Sequence, residues 1–521
     1  MRKFLQRYQD CILGTISGFD RMRFRGSLRL LQTEGGLVAW LERSAKVAIK
    51  DFLGFAEGLT KRFCESSAKL AQAVGKKERY LDRVVNKEEL VQQIREQEGP
   101  AQNGLIAELS TLEMGMSYDV YRRKDRQNSE LIRRLRKCKH YYFYWDDGRF
   151  GLTQVRLSSW FPFDCHVVIN GREWLARQMD IQGIDYVRKD NCFVNVSDFE
   201  GAQKLADRQP RIDWISQLER VLRRVHPLHA EFFQGESALD YYWTAEQTEW
   251  ATDVIFRDAK LLSTWYPQLI RRGIETFQSA DVLRFLGHKV PAHGGVHGHY
   301  QDDVMSDLKR REEGVRIKHW AGKNSVKMYN KQPTVLRVET TLNDGRGLKV
   351  YRTSQSDPHG KRHWLDLRKT VVDLPRRAEL SQATNNRYIE ALTTTSAQAT
   401  LSEMTDQLCR PVTVKGRRYR ALRPFEMDEV KLLQAISHGE FLISGFRNRD
   451  IRIKLYGENQ DAKQQRREAG KISRKFAILR AHGLIKKIQR THRYLLTETG
   501  VKAITAILSA RQASISQLTA A

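Results

Sequence analysis

Arg474-Lys-Phe-Ala-Ile-Leu-Arg-Ala-His-Gly-Leu-Ile-Lys-Lys-Ile-Gln-Arg-Thr-His-Arg-Tyr-Leu-Leu-Thr-Glu-Thr-Gly500 is the stretch from which the fold of this 521-residue chain is read first. Ile472, Phe476, Leu479 and Gly483 recur at intervals of four, three and four, the stripe of a helix packed on a core. Arg467, Lys471 and Arg474 fall on another side of that helix. Gly483 stops the helix in a C-cap position. Residues 485–489 and 492–497 then alternate like two short strands, with Arg490-Thr491-His492-Arg493 at the tip between them. Thr497 suits the N-cap of a terminal helix, since its hydroxyl can accept from an orphan N–H. Upstream, residues 428–436 and 446–456 supply two more short helices.

That order is what a winged helix-turn-helix needs. Over about residues 422–510 the chain resembles the winged-helix domains of MarR-like bacterial regulators, down to the pattern LRxHGLIxxxxxTHRYxLTxxG. The resemblance implies duplex DNA as partner. Arg467, Lys471, Arg474 and Lys475 are then the major-groove candidates, and Lys486, Lys487, Arg490 and Arg493 the phosphate or minor-groove candidates of the wing. Residues 411–500 carry 21 Lys and Arg against 9 Asp and Glu, which favours nucleic acid over a winged helix used only for protein contacts.

The whole chain repeats that bias, with 89 basic and 62 acidic residues and a net charge of +27. Such an excess favours polyanions and salt-sensitive association. No apolar stretch approaches the length of a membrane span and no signal peptide is evident, so no membrane partner and a cytoplasmic location are expected. The six cysteines are scattered without a C-x-x-C pair, as in a reduced compartment without a zinc knuckle. P-loop, dinucleotide-binding, serine-hydrolase elbow and H-E-x-x-H motifs are absent, and no nucleotide or redox cofactor is indicated.

The expected architecture is a multi-domain α+β protein. Residues 1–125 read as an opening strand and a helical region, 126–210 as a central α/β region, and 211–314 as helical. Residues 315–352 form a basic antiparallel β-meander, 353–419 a helical linker and 420–521 the winged-helix domain. Within 140–206 the order β-β-β-α-β-α matches the opening of an RNase H-like fold, with residues 184–196 as the fourth strand. Enzymes of that fold cluster carboxylates around Mg²⁺ or Mn²⁺. Asp147 (or Asp146), Glu173 and Asp190 are the candidate ligands there. Glu249 and Asp253, with Glu246, join them as catalytic candidates on one face of an expected helix. The same residues also fit hairpin-turn chemistry, a helix-dipole partner and a solvated helix face.

In the meander, Lys327, Tyr329 and Lys331 share one strand face, and Val326 and Met328 the other. The pair Val-Lys-Met-Tyr-Asn-Lys and Val-Leu-Arg-Val-Glu resembles strands of rolling-circle replication initiators. That resemblance implies Tyr329 as a nucleophile on DNA phosphate, with Glu339 helping to hold a metal. Such enzymes also carry a His-x-His pair on a strand, whereas His297-Gly298-His299 lies in a Gly-rich linker. The other reading of this sheet is a basic surface in which Lys318, Lys327, Lys331 and Arg337 touch the nucleic-acid backbone. Tyr141-Tyr-Phe-Tyr-Trp145 reads either as base-stacking residues or as a buried central strand.

Beyond the winged helix, the stretches FDRMRFRGSL, KHYYFYWDDGRFGLTQVRLSSWFPF, TEWATDVIFRD and GVRIKHWAGKNSVKMYNKQPTVLRVETTLND resemble a large family of hypothetical bacterial proteins associated with mobile elements. Three functional readings follow. The first is a DNA-targeting mobile-element or replication-type factor that processes DNA as a metal-dependent nuclease or transposase. The second is a non-enzymatic winged-helix regulator, which would dimerise on paired half-sites. The third is a binder of structured RNA. The 400 or so residues outside the winged helix favour processing.

Overall fold

The computed structural model describes the chain apart from residues 100–103, 123–128, 233–238, 291–301, 312–313, 355, 358, 394–400, 415, 439–440, 442–444, 490 and 514–521. The fold is mixed α and β in two compact units, one of Met1–Lys289 with Tyr300–Thr393, the other of Val290–His299 with Thr394–Ala521. No helix among the described residues is long and apolar enough to cross a membrane.

The first unit is built on one large sheet. Its strands are β1 (Ile12–Leu28), β2 (Arg79–Tyr80), β3 (Leu105–Arg122), β4 (Ser129–Asp147), β5 (Gly151–Ser158) and β6 (Cys165–Asn170). A separate hairpin, β7 (Tyr186–Lys189) and β8 (Cys192–Val196), precedes β9 (Tyr241–Phe256). The sheet is completed by β10 (Val304–Arg311), β11 (Gly314–Ala321), β12 (Asn324–Gln332) and β13 (Val335–Leu342). The spatial order is β10-β11-β12-β13-β9-β1-β6-β5-β4-β3-β2, eleven strands, with β2 alone parallel to its neighbour. The strands of the expected 315–352 meander up to Leu342 are thus one wing of the same sheet as the central strands, joined to them through the β13–β9 ladder, whereas Lys349–Arg352 pairs with His363–Asp366 in a separate two-stranded sheet.

Three expectations need correction. Residues 241–256 are a strand and not helix: Tyr241, Trp243 and Ala245 alternate inward, and every residue from Trp250 to Phe256 is buried. That burial on both faces belongs to a strand between two others, here β1 and β13. Residues 184–196 make their own hairpin, turned at Asp190 with φ +51°, and add no strand to the large sheet. Phe446-Arg447 is a short strand ahead of its helix, because Phe446 packs its ring on Tyr494 at 6.2 Å and pairs with it. Tyr141 and Phe143 are buried against one layer of the core and Tyr142 and Tyr144 against another, so the aromatic run is a central strand.

The β1–β9 ladder runs from Ile12↔Phe256 to Leu28↔Tyr241 and contains two extra residues that matter below. Phe19 pairs with Trp250 and Arg21 with Glu249, leaving Asp20 unmatched; Arg23 pairs with Gln247 and Phe24 with Ala245, leaving Glu246 unmatched. Bulges of this kind re-aim a side chain and increase local twist. Helix Leu374–Thr393 covers one face of the central strands, where the Asn385 amide donates to the carbonyls of Trp250 and Val338. Helix Gly171–Gln182 and the β7–β8 hairpin flank the other face: Arg172 donates to the Ala251 carbonyl, and Cys192 packs with Ile255 and Val335.

In the second unit, helices Met427–Ile436, Asn448–Tyr456, Ala462–Ala481 and Glu498–Gln512 surround a three-stranded sheet of Phe446–Arg447, Arg493–Leu496 and Ile485–Lys487. Ile472, Phe476 and Leu479 are buried in its core with Phe446 and Ile504. Gly483 follows the long helix at φ +73°, a backbone that only glycine adopts cheaply. Thr497 Oγ1 accepts from the Gly500 N–H at 2.9 Å and caps the terminal helix.

Candidate active site

The alternation of β1, β9, β13, β12 and β11 puts a row of charged side chains on one face of the sheet. Lys318, Lys327 and Glu339 are cross-strand neighbours in register, and so are Tyr329, Arg337 and Asp253. Glu249 stands two residues along β9 from Ala251, the partner of Glu339. The bulge at Asp20 turns that carboxylate toward the same place. Carboxylate oxygens of Asp20, Glu249 and Glu339 all lie within 4.8 Å of one another. Two oxygens on opposite sides of a cation are separated by about twice the bond length, about 4.2 Å for Mg²⁺ and about 5 Å for Ca²⁺. The three side chains therefore have the donor type and spacing for a hard divalent cation.

Each carboxylate is held differently. Glu339 is 1 % exposed, with Lys327 Nζ at 2.7 Å from Oε1 and the Tyr329 hydroxyl donating to Oε2 at 3.0 Å. Asp20 Oδ1 accepts from Arg337 Nη1 at 3.0 Å and from the Asn191 amide at 2.7 Å. The Glu249 carboxylate forms no hydrogen bond or ion pair with any described residue. Burial, and next the Glu339 charge, push its carboxyl up to about 7. A carboxyl that half-titrates near neutrality beside two others is what like charges in a confined space produce, and a cation relieves it. Burial pulls Lys327 down, but Glu339 and Glu249 outweigh it and hold the ammonium above its ordinary range. Burial and then Glu339 keep the Tyr329 phenol protonated, so it stands as a donor to the carboxylate.

Behind the carboxylates lies a fully buried ionic scaffold. Arg337 donates to both oxygens of Asp253, at 2.6 and 2.9 Å, and to the Asn191 carbonyl at 2.8 Å in addition to Asp20. Arg172 Nη2 adds a contact of 3.1 Å to Asp253. Burial acts against the Asp253 charge, yet the two guanidiniums hold its carboxyl below the ordinary range. Both oxygens of Asp253 are engaged by arginines, and Arg337, expected on a nucleic-acid-binding surface, is 1 % exposed with its guanidinium on Asp253, Asp20 and Asn191.

Of the candidates read from sequence, Glu249 and Tyr329 meet at this site and Glu339 completes it. Asp147, Glu173 and Asp190 do not. Asp147 is 1 % exposed, receives Arg220 and Arg224 at 2.8 and 2.7 Å, and accepts two backbone N–H groups of its own turn. Glu173 pairs with Arg188 at 2.6 Å, and Asp190, exposed at the β7–β8 turn, accepts from Gln332. Glu246, the bulged residue of β9, faces Arg23 at 2.9 Å and His166 at 3.4 Å. Lys318 sits half-buried with its ammonium 4.7 Å from the Trp320 ring, and Lys331 is half-buried at the end of β12. Asp20 carried no role in the sequence reading; its one signal is an acidic residue breaking the apolar alternation of a Gly-flanked strand.

In the second unit Arg467, Lys471 and Arg474 are exposed on helix Ala462–Ala481 and Lys486 and Lys487 on strand Ile485–Lys487. Lys475 donates to the Asp428 carbonyl at 3.0 Å and Arg493 to the Gly445 carbonyl at 3.0 Å, so both serve the unit's own packing. Arg490, His297 and His299 lie outside the described residues. No protein-family model, curated protein or solved structure matches this chain.

Proposed function

We propose that this protein is a DNA-targeting, metal-dependent strand-cleaving factor of the mobile-element or replication type. The observation that carries the reading is the convergence of Asp20, Glu249 and Glu339, from three strands far apart in sequence, beside the half-buried Lys327. Such a set suits Mg²⁺ or Mn²⁺, which when bound polarises a phosphodiester and lowers the pKa of a coordinated water. Lys327 supplies a fixed positive charge beside the reacting phosphate, where charge develops in the transition state. Tyr329 orients Glu339 through its hydroxyl, and Arg337 with Asn191 orients Asp20.

Targeting falls to the second unit. The succession of helices, the three-stranded sheet and the Gly483 turn support a winged helix, with Ala462–Ala481 as the recognition helix. Its exposed Arg467, Lys471 and Arg474 form no ion pair with any described residue and are available for phosphates or base edges. These cations alone would serve a non-enzymatic regulator, and the carboxylate site is what favours processing.

The test is to incubate the full chain with end-labelled single- and double-stranded DNA and RNA in Mg²⁺ or Mn²⁺. Metal-dependent nicking of DNA, abolished in Asp20→Asn and Glu249→Gln, is expected; a covalent protein–DNA adduct lost in Tyr329→Phe would make that tyrosine the nucleophile in place of water. Absence of scission and adduct under every condition refutes the enzymatic reading, and duplex affinity unchanged on removal of residues 420–521 refutes the targeting one.

A further inference from the structure

The carboxylate face continues along β1 and β9 into a recess. Arg21 is the cross-strand partner of Glu249, and Arg23 that of Gln247 two residues on, a step of about 6.5 Å along a strand. The row of Arg23 carries on through Val168 of β6 and Gln154 of β5. With the start of helix Lys87–Glu98 these residues enclose a hollow of about 570 Å³, within the span of nucleotide-sized sites.

Its polar groups are graded by depth. Arg21 pairs with Glu88 and Arg23 with Glu246, each at 2.9 Å, and in both pairs two-fifths or more of each side chain is exposed. Exposed ion pairs contribute little, so either guanidinium can exchange its carboxylate for another anion at small cost. Deeper in, Arg156 spans Glu113 at 2.7 Å and the Tyr142 hydroxyl at 3.2 Å. Gln154, which lines the hollow, donates to the Tyr144 hydroxyl at 3.0 Å, and its side-chain carbonyl accepts from no described residue. The Gln247 side-chain amide has no hydrogen-bond partner among the described residues. Cations that exchange partners at the mouth, and amides with free capacity inside, match one phosphate and one base edge.

We propose that this hollow is a nucleotide subsite: it receives one unstacked nucleotide of a single strand, next to the phosphate that a divalent cation on Asp20, Glu249 and Glu339 would hold. Arg21 and Arg23 take the adjoining phosphate, and Gln154 and Gln247 meet the base. The inference rests on the DNA-processing reading and gives it a strand direction along the sheet, from the carboxylates toward β5.

The experiment is fluorescence anisotropy of a short labelled single-stranded DNA with the full chain in EDTA, where binding is read without scission. Arg23→Glu is expected to weaken that binding about tenfold or more, Arg23→Lys to retain most of it, and Gln247→Ala to change the order of affinities among homopolymeric strands. Long-duplex binding changes less than about twofold in the same variants, since the second unit carries it. Wild-type affinity for the short strand in Arg23→Glu, alongside nicking lost in Glu249→Gln, overturns the subsite and leaves the enzymatic reading standing. A wild-type chain that binds neither strand nor duplex overturns both. Displacement of the short strand by free mononucleotide at equal concentration also overturns the proposal, by making the hollow a cofactor site.

Discussion

Glu249→Gln tests the electrostatics of the site without requiring any activity. Burial and the neighbouring Glu339 raise the Glu249 carboxyl from the ordinary value of 4.5 to about 7. In that window the folded chain holds a proton that the unfolded chain has released, so wild-type stability falls as pH rises from about 4.5 to about 7. The displacement corresponds to at most about 3 kcal/mol, fully lost above pH 7. Glutamine cannot ionise and pays none of it. The variant is therefore expected to match the wild type at pH 4.5 to 5 and to exceed it by about 1–3 kcal/mol at pH 8 in EDTA. Denaturant unfolding of the full chain at both pH values, followed by tryptophan fluorescence, reads the difference. Mn²⁺ titration reverses the ranking: the cation raises the wild-type midpoint through binding to the folded state, and leaves the variant where it was. A variant no more stable than wild type at pH 8 refutes the convergence of the three carboxylates, because an isolated, solvated Glu249 would show no such window.

Three further outcomes follow from the same contacts. Arg337→Met strands Asp253, which is 0 % exposed, without its main counter-ion, and is expected to cost about 3–5 kcal/mol in thermal or chemical unfolding. Asp147→Ala removes the partner of Arg220, Arg224 and two turn N–H groups; calorimetry should show a loss of about 1–3 kcal/mol in stability with Mn²⁺ affinity unchanged, whereas reduced affinity would return Asp147 to the metal site. Lys471→Ala and Arg474→Ala should each weaken duplex binding and lower the slope of log affinity against log salt by about 1, which anisotropy across a salt series measures.

The local half of this protein was legible in its residues. The 3.6-residue stripe of Ile472, Phe476 and Leu479, the αL position at Gly483 and the Thr497 cap depend on neighbours within a few positions, and each stands as read. Helix Gly171–Gln182, closed by Gly183 at φ +66°, and the strands of the 315–342 meander were equally local. Lys327, Tyr329 and Glu339 belong to this local half too, since two adjacent strands joined by a short turn set their register.

The remainder needed the chain to fold back on itself. Residues 241–256 look like an extension of the helices around them until β1 and β13 close on both sides, and no local period distinguishes a strand buried on both faces from a helix of the same apolarity. Asp20 and Glu249 are 229 positions apart, from their residue numbers, and face one another through a pairing register that no stretch of residues near either one encodes. The bulge that turns Asp20 toward Glu339 exists only because β1 and β9 are paired along their length with one residue too many. Charge, composition and local rhythm thus determined what kinds of surface this chain could present. Which carboxylates meet a lysine, and which are neutralised by arginines such as Arg220 or Arg337, was decided by long-range strand pairing, because register converts distant positions into neighbours and assigns every side chain its face.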